Sequence, residues 1–220
     1  RTVREKVKDA SLASYWHARV SAALDTLERE ARRMFQLERE LNEFASRYYE
    51  AVGDAANRLA QLELHSAQVT QEVATVLAQR EEVPERSVEL KTRYRSLAKE
   101  VHPDRAMVVE GVSNAANIMH SLNAAYQQGD LAAMLRLEAE MYLARVMYDA
   151  SGNTAELEAA LRDVGRAAMT YGDSYRAMLG SPLNELMLRA MSARLAGWDW
   201  MEAVVRKVER AIEEKERSLA

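Results

Sequence analysis

The fold is decided by residues 20–52, which read VSAALDTLEREARRMFQLERELNEFASRYYEAV. Apolar side chains recur here at alternating steps of three and four residues, a spacing that places them along one stripe of an α-helix. The same phase continues to residue 76. A repeat sustained over this length predicts a long helix with the seam of a coiled coil. The seam positions are Val20, Leu24, Leu27, Ala31, Met34, Glu38, Leu41, Ala45, Tyr48, Val52, Ala55, Leu59, Leu62, Ser66, Val69, Val73 and Val76.

The seam keeps its phase across Gly53-Asp54. Two separate helices would have little reason to share one phase across a turn, so we expect a single helix. The alternative is a hairpin that turns at Gly53. A single helix cannot bury its own seam, so later helices of the chain or a second copy must cover it. The first arrangement predicts an elongated monomer, and the second predicts a homodimer.

The composition favours an all-α protein with coiled-coil or helical-bundle arms. Among 220 residues there are only 8 Gly, 3 Pro and 2 Phe, whereas the strong helix formers Ala, Leu, Glu and Arg dominate. The net charge of -4 argues against a general nucleic-acid binder. The absence of Cys excludes disulfides and thiolate metal sites and suits a reducing compartment, so we expect a cytoplasmic protein.

We expect neither a membrane span nor an enzyme. No apolar run approaches the roughly 18 residues that cross a bilayer, and no signal peptide is visible. The sequence contains no glycine-rich phosphate loop, no nucleophile constellation and no metal cluster, so we expect no cofactor. His17, His65 and His120 lack ligand spacing and are interpreted as surface or packing residues.

Helix boundary signals divide the rest of the chain. Pro84 ends the long helix, and Gly129 ends a helix that starts near residue 113. We predict an N-terminal coiled-coil arm at 1–82, a module at 83–131 and a C-terminal helical arm at 132–220. The C-terminal arm is expected to pack on the first arm as an antiparallel coiled coil or a bundle. The predicted N-caps are Ser87, Asp130, Asn153 (with Glu156), Ser181 (before Pro182) and Asp199 (with Glu202).

Two groups of side chains in the C-terminal arm have two interpretations each. Met134, Met141 and Met147 are expected to fill the core or the seam, and the alternative is a groove for a client. Trp198 and Trp200 flank a helix start and are expected to anchor the last helix against the bundle. Exposed at the end of the stalk, they would instead mark a partner site.

Residues 90–105 read LKTRYRSLAKEVHPDR and predict a helix with two faces. Lys91, Arg95 and Lys99 form a basic stripe, and Arg93 lies nearby. The other face is apolar and is expected to pack antiparallel on the next helix. The apolar positions are Leu90, Tyr94, Leu97, Ala98 and Val101, opposite Met119, Leu122, Ala125 and Tyr126.

The tripeptide His102-Pro103-Asp104 follows this helix and is expected in a loop at the end of the helix pair. Pro103 keeps His102 out of helical geometry, so the helix ends there. Asp104 then presents a carboxylate that is suited to a charge-assisted bond with a partner arginine. The basic stripe would face an acidic partner surface and would speed and orient docking.

Residues 87–131 resemble the J-domain of DnaJ-type co-chaperones. That family carries Leu-Lys-x-x-Tyr-Arg-x-Leu-Ala before a His-Pro-Asp loop, matched at 90–98 and 102–104, and Asn-x-Ala-Tyr on its third helix, matched at 123–126. The resemblance implies that His102, Pro103 and Asp104 contact a DnaK-type chaperone and stimulate its ATPase. The basic residues implied to support docking are Lys91, Arg93, Arg95, Lys99 and Arg105. Through residues 48–53 and 181–183, the whole chain is similar to a bacterial group with a J-like domain between coiled-coil arms.

The sequence also departs from the family. The usual first helix is not recognisable upstream, where Val73, Val76 and Leu77 stand. The arms are expected to target the protein, dimerise it or recruit an unknown client. The alternative function is a coiled-coil scaffold whose J-like module no longer engages a chaperone, which internal salt bridges at Asp104 would indicate. A nucleic-acid partner docking on residues 91–105 is disfavoured by the acidic remainder.

Overall fold

The computed structural model describes residues 3–61, 86–101, 115–149 and 154–219. Every regular element in these ranges is an α-helix, which confirms the all-α prediction. No helix within them is long and apolar enough to cross a membrane. In chain order the helices are α1 (Val3–Gln61), α2 (Arg86–Val101), α3 (Ala115–Gln127), α4 (Leu131–Asp149), α5 (Thr154–Leu179), α6 (Pro182–Leu195) and α7 (Trp200–Leu219).

The chain divides by its contacts into two compact units. The first contains residues 1–35 and 85–174, and the second contains residues 36–84 and 175–220. Each unit therefore takes a part of α1 and a part of α5. These bounds differ from the segments predicted at 1–82, 83–131 and 132–220, because the later helices share their cores with α1.

Helix α1 is continuous through Gly53, so the single helix is confirmed and the hairpin is wrong. Every seam position from 20 to 59 is buried except Val20, Glu38 and Ala55, which are half-buried. Gly53 is itself buried, and a Cβ there would lie 3.1 Å from the ring of Tyr49. The glycine thus leaves room for a neighbouring ring within the helix. The seam positions from 62 to 76 lie outside the described ranges.

In the first unit, α4 and α5 cover the seam. Helix α4 runs antiparallel to α1, because Arg32 pairs with Asp130 at 2.8 Å whereas the earlier Asp25 pairs with Arg136 at 2.5 Å. The shared buried side chains are Trp16, Leu24 and Leu27 of α1, Leu143 of α4, and Leu157, Ala160, Leu161, Val164 and Ala168 of α5.

Helix α5 runs in the same direction as α1, so the antiparallel direction predicted for the C-terminal arm holds for α4 but not for α5. Its residues 157–168 share a core with residues 16–27 of α1. Farther along both helices, Tyr171 meets Phe35 edge to face with ring centroids 5.6 Å apart. Because α4 already runs back along α1, the helix that follows α4 returns in the direction of α1.

In the second unit, α6 and α7 cover the seam. Trp200 stacks on Tyr48 with ring centroids 5.7 Å apart, and Arg58 pairs with Glu216 at 2.6 Å, so α7 also runs parallel to α1. Trp200 anchors the last helix as predicted, whereas Trp198 is 50% exposed. The shared buried side chains include Leu41, Phe44, Tyr48, Val52, Leu59, Leu183, Leu186, Met187, Val208 and Ile212.

The turn between α3 and α4 confirms two boundary predictions. Gly129 has φ +66°, a left-handed conformation that glycine adopts without steric cost. Asp130 then caps α4, since its Oδ1 accepts a hydrogen bond from the Ala133 amide at 3.0 Å. The same carboxylate forms an ion pair with Arg32 of α1, so one side chain both caps α4 and connects it to α1.

The other predicted caps have three outcomes. The Ser181 hydroxyl accepts a hydrogen bond from the Asn184 amide, and Asp199 accepts from the first amides of α7, so both caps are confirmed. The cap at Ser87 is wrong, because α2 already includes Arg86. The cap at Asn153 lies outside the described ranges.

Candidate functional site

Helices α2 and α3 pack through the two motifs that the sequence singled out. The Tyr94 hydroxyl donates a hydrogen bond to Asn123 Oδ1 at 2.8 Å. The Tyr94 ring also stacks on Tyr126, with centroids 4.3 Å apart. Tyr94 lies in the middle of α2, and its two partners lie in the last two turns of α3. Leu97, Val101 and Leu122 are buried between the helices.

Helix α4 completes the core of this pair. Met134 and Met141 of α4 are buried with Leu97, Val101 and Leu122, and Met134 is 0% exposed. The prediction that these methionines fill a core is confirmed. The core therefore extends beyond residue 131, where the predicted module ended. Two short helices expose most of their apolar faces to water, so a third layer is needed to bury them. We call α2, α3 and α4 the three-helix module.

The basic stripe of α2 faces away from this core. Lys91, Arg95 and Lys99 are exposed, and none of them forms an ion pair with another described residue. Their spacing of four residues places the three charges along one side of the helix. The stripe is therefore an accessible positive surface on the part of the module that the structure describes.

Arg93 has a different environment from the stripe. Its Nε donates to Glu89 Oε1 at 3.1 Å, and a terminal nitrogen donates to Glu138 Oε2 of α4 at 2.5 Å. Burial alone would lower the pKa of Arg93, but the carboxylates of Glu138 and Glu89 outweigh burial and raise this pKa. The structure therefore separates Arg93 from the three exposed cations with which the sequence grouped it.

A second ion pair joins α2 to α4 near the end of α2. It links Glu100 with Arg145, and both side chains are about 40% exposed, at 39% and 44%. Sequence reasoning missed Glu138 and Arg145, because it assigned α4 to the arm. The sequence does contain a signal for this pairing, because Arg93 and Glu100 are seven residues apart and so are Glu138 and Arg145. The basic residue comes first in one pair and the acidic residue comes first in the other.

The predicted loop residues His102, Pro103, Asp104 and Arg105 lie outside the described ranges. The chain from 102 to 114 connects the end of α2 to the start of α3, so the tripeptide follows directly on Val101. Whether a salt bridge holds Asp104 therefore stays a prediction. Among the described residues no group of three His, Asp or Glu could hold a metal ion.

Comparison with known proteins gives no match. No family model matches the chain, and neither a curated protein nor a solved structure matches it. The resemblance of residues 87–131 to the J-domain family is therefore carried by the motif residues alone, and the function that it implies stays a prediction.

Proposed function

We propose that the chain is a J-domain co-chaperone that docks on a DnaK-type chaperone and stimulates its ATPase. The segment His102-Pro103-Asp104 makes the stimulating contact, and the exposed stripe of α2 steers the docking. The helices that cover α1 serve to target the protein or to recruit a client. The protein thus acts through the chemistry of its partner.

The observation that carries this proposal is the contact between the two motifs. Tyr94 comes from the pattern before the tripeptide, and Asn123 and Tyr126 come from the pattern on the following helix, about 30 positions later in the sequence. A chance match of two short patterns gives no reason for their members to touch. Here the hydroxyl of Tyr94 binds Asn123 and its ring stacks on Tyr126. The contact supports a helix pair whose connection carries the tripeptide.

The exposed stripe supports the same proposal through its charge. Lys91, Arg95 and Lys99 lie on a chain whose net charge is -4, so their positive potential is local. A local positive surface attracts an acidic partner surface and mainly accelerates and orients association. The attraction weakens as salt rises, because the screening length falls to about 8 Å at physiological ionic strength.

The test is single-turnover ATP hydrolysis by a DnaK-type chaperone. We expect the wild-type protein to accelerate ATP hydrolysis by the chaperone. With the variant His102→Gln, hydrolysis should proceed at the rate of the chaperone alone. His120→Gln is the matched control, since His120 is exposed on α3 and belongs to neither motif contact. Equal stimulation by wild type and His102→Gln would contradict the proposal, as would no stimulation by a wild-type protein of native helix content.

A second candidate function is a coiled-coil scaffold, and one observation favours it. Helices α2 and α3 share their core with α4, which in turn packs on α1, so the helix pair is built into the first unit. A J-like helix pair retained only as a structural element would have the same packing. The two candidates differ in the effect of charge: removing Lys91 and Lys99 lowers stimulation in the co-chaperone and changes nothing in the scaffold.

A further inference from the structure

We propose that Arg93 is a positioning residue that fixes the register of α2 on α4, and that it does not contact the chaperone. The inference rests on the proposed function, because it assigns a role within the same docking helix. The resemblance to the J-domain family groups Arg93 with the other basic residues of α2. The geometry of the first unit distinguishes it from them.

The first argument is that the guanidinium already binds two carboxylates. Arg93 binds Glu89 on its own helix and Glu138 on α4, at 3.1 and 2.5 Å. Its side chain is 29% exposed, and that of Glu89 is 27% exposed. A partner carboxylate that bound Arg93 through the same nitrogens would displace one of these bonds and leave a partly buried charge without its partner, which is costly. Binding of a partner carboxylate would break no ion pair with a described residue at Lys91, Arg95 or Lys99.

The second argument is the agreement between two ion pairs. Arg93 pairs with Glu138 and Glu100 pairs with Arg145, and in both pairs the partner follows 45 positions later in the sequence. The constant offset shows that α2 and α4 run parallel, with one register over two turns. Seven residues separate the pairs, which is the repeat of two packed helices.

The third argument is that the order of charges penalises a shifted register. A shift of one heptad in one direction would place Arg93 opposite Arg145, and a shift in the other direction would place Glu100 opposite Glu138. Both shifts would place like charges opposite each other, so the order of charges favours the observed register over a register shifted by one heptad. Apolar packing of Met134 and Met141 alone would discriminate less, since methionine adapts to irregular gaps.

The register matters because the tripeptide follows α2 directly. The last turn of α2 sets the position of Val101, to which His102 is joined, and the direction in which Lys99 points. A helix that slides or rotates on α4 would displace both parts of the proposed docking surface together. Arg93 therefore acts on docking through Glu138.

The kinetic test compares Arg93→Gln, Glu138→Gln and the double variant in the ATPase assay, with Arg95→Gln as the matched control. We expect Arg95→Gln to raise the half-saturating concentration about fivefold and to leave maximal stimulation unchanged. We expect Arg93→Gln to lower maximal stimulation about fivefold, Glu138→Gln to reproduce this loss, and the double variant to add nothing. The inference is overturned if Arg93→Gln behaves like Arg95→Gln while Glu138→Gln behaves like wild type.

Amide hydrogen exchange tests the same role without a chaperone. We expect exchange in residues 86–101 to accelerate about fivefold in Arg93→Gln and in Glu138→Gln, without further increase in the double variant. Arg95→Gln should exchange like wild type. Should the wild-type protein stimulate no chaperone, the proposed function fails, and the exchange experiment alone decides the positioning role. Unchanged exchange in both single variants would overturn that role.

Discussion

The substitution Met134→Ala tests whether α4 belongs to the three-helix module. Met134 is 0% exposed and lies with Leu97, Val101 and Leu122 in one core, although it follows the predicted end of the module. The substitution removes the side chain beyond Cβ and leaves the helix backbone intact, since alanine is the best helix former. Its effect therefore reports the packing of α4 on α2 and α3.

The magnitude follows from the burial of the side chain. Replacing a fully buried methionine by alanine costs about 2–5 kcal/mol, from lost transfer free energy and from the cavity that remains. We take about 3 kcal/mol, because the flexible neighbours Met141 and Met119 can partly fill the space. Each 1.4 kcal/mol is a factor of about ten in an equilibrium constant, so opening of the module should become about 100-fold more frequent.

Hydrogen exchange followed by mass spectrometry measures this effect segment by segment. We expect the slowest amides of residues 86–101 and 115–127 to exchange about 100-fold faster, while residues 200–219 of the second unit keep their rate. Met169→Ala is the matched control. It makes the same chemical change on α5 at a side chain that is 65% exposed, and should cost less than about 0.5 kcal/mol.

Two outcomes would refute the reasoning. If Met134→Ala and Met169→Ala had equal effects, the burial of Met134 in the module would be wrong. If Met134→Ala accelerated exchange in α4 but left α2 and α3 protected, the helix pair would be stable by itself and α4 would not complete its core.

Two further predictions concern stability, each measured as the free energy of unfolding in urea. Asp130→Ala should cost about 1–2 kcal/mol, because it removes both the cap on Ala133 and the ion pair with the 50% exposed Arg32. Asp130→Asn, which keeps the cap, should cost about half, and equal costs of the two substitutions would contradict the role of the cap. Leu183→Ala should cost about 3 kcal/mol at a side chain that is 0% exposed. Leu195→Ala, at 90% exposure, should change stability by less than about 0.5 kcal/mol, and a larger loss would mean that this side chain is covered.

The fold could be predicted from the sequence where the signal is local. The seam of α1 and the caps at Asp130, Ser181 and Asp199 depend on side chains within a few residues of each other. Such signals do not contain the direction of a distant helix. The antiparallel direction predicted for the C-terminal arm therefore holds for α4 but is wrong for α5 and α7, since the direction depends on how many helices intervene.

The candidate site divides in the same way. Tyr94, Asn123 and Tyr126 were identified from motifs, and their mutual contact agrees with the expected helix pair. The exposed stripe of α2 was likewise visible in the spacing of its charges. The environment of Arg93 could not be predicted, because Glu138 lies 45 positions away and approaches it only when α4 packs on α2.

The sequence by itself determined that this protein is helical, that one face of α1 must be covered, and which face of α2 remains polar. These properties follow from periodicity and from the preferences of single residues, which act within one or two turns. Only the tertiary structure decided which helices cover the seam, that α4 completes the core of the helix pair, and which cations stay exposed. Those outcomes depend on the packing of apolar faces against each other, and many pairings of amphipathic helices satisfy the same local pattern.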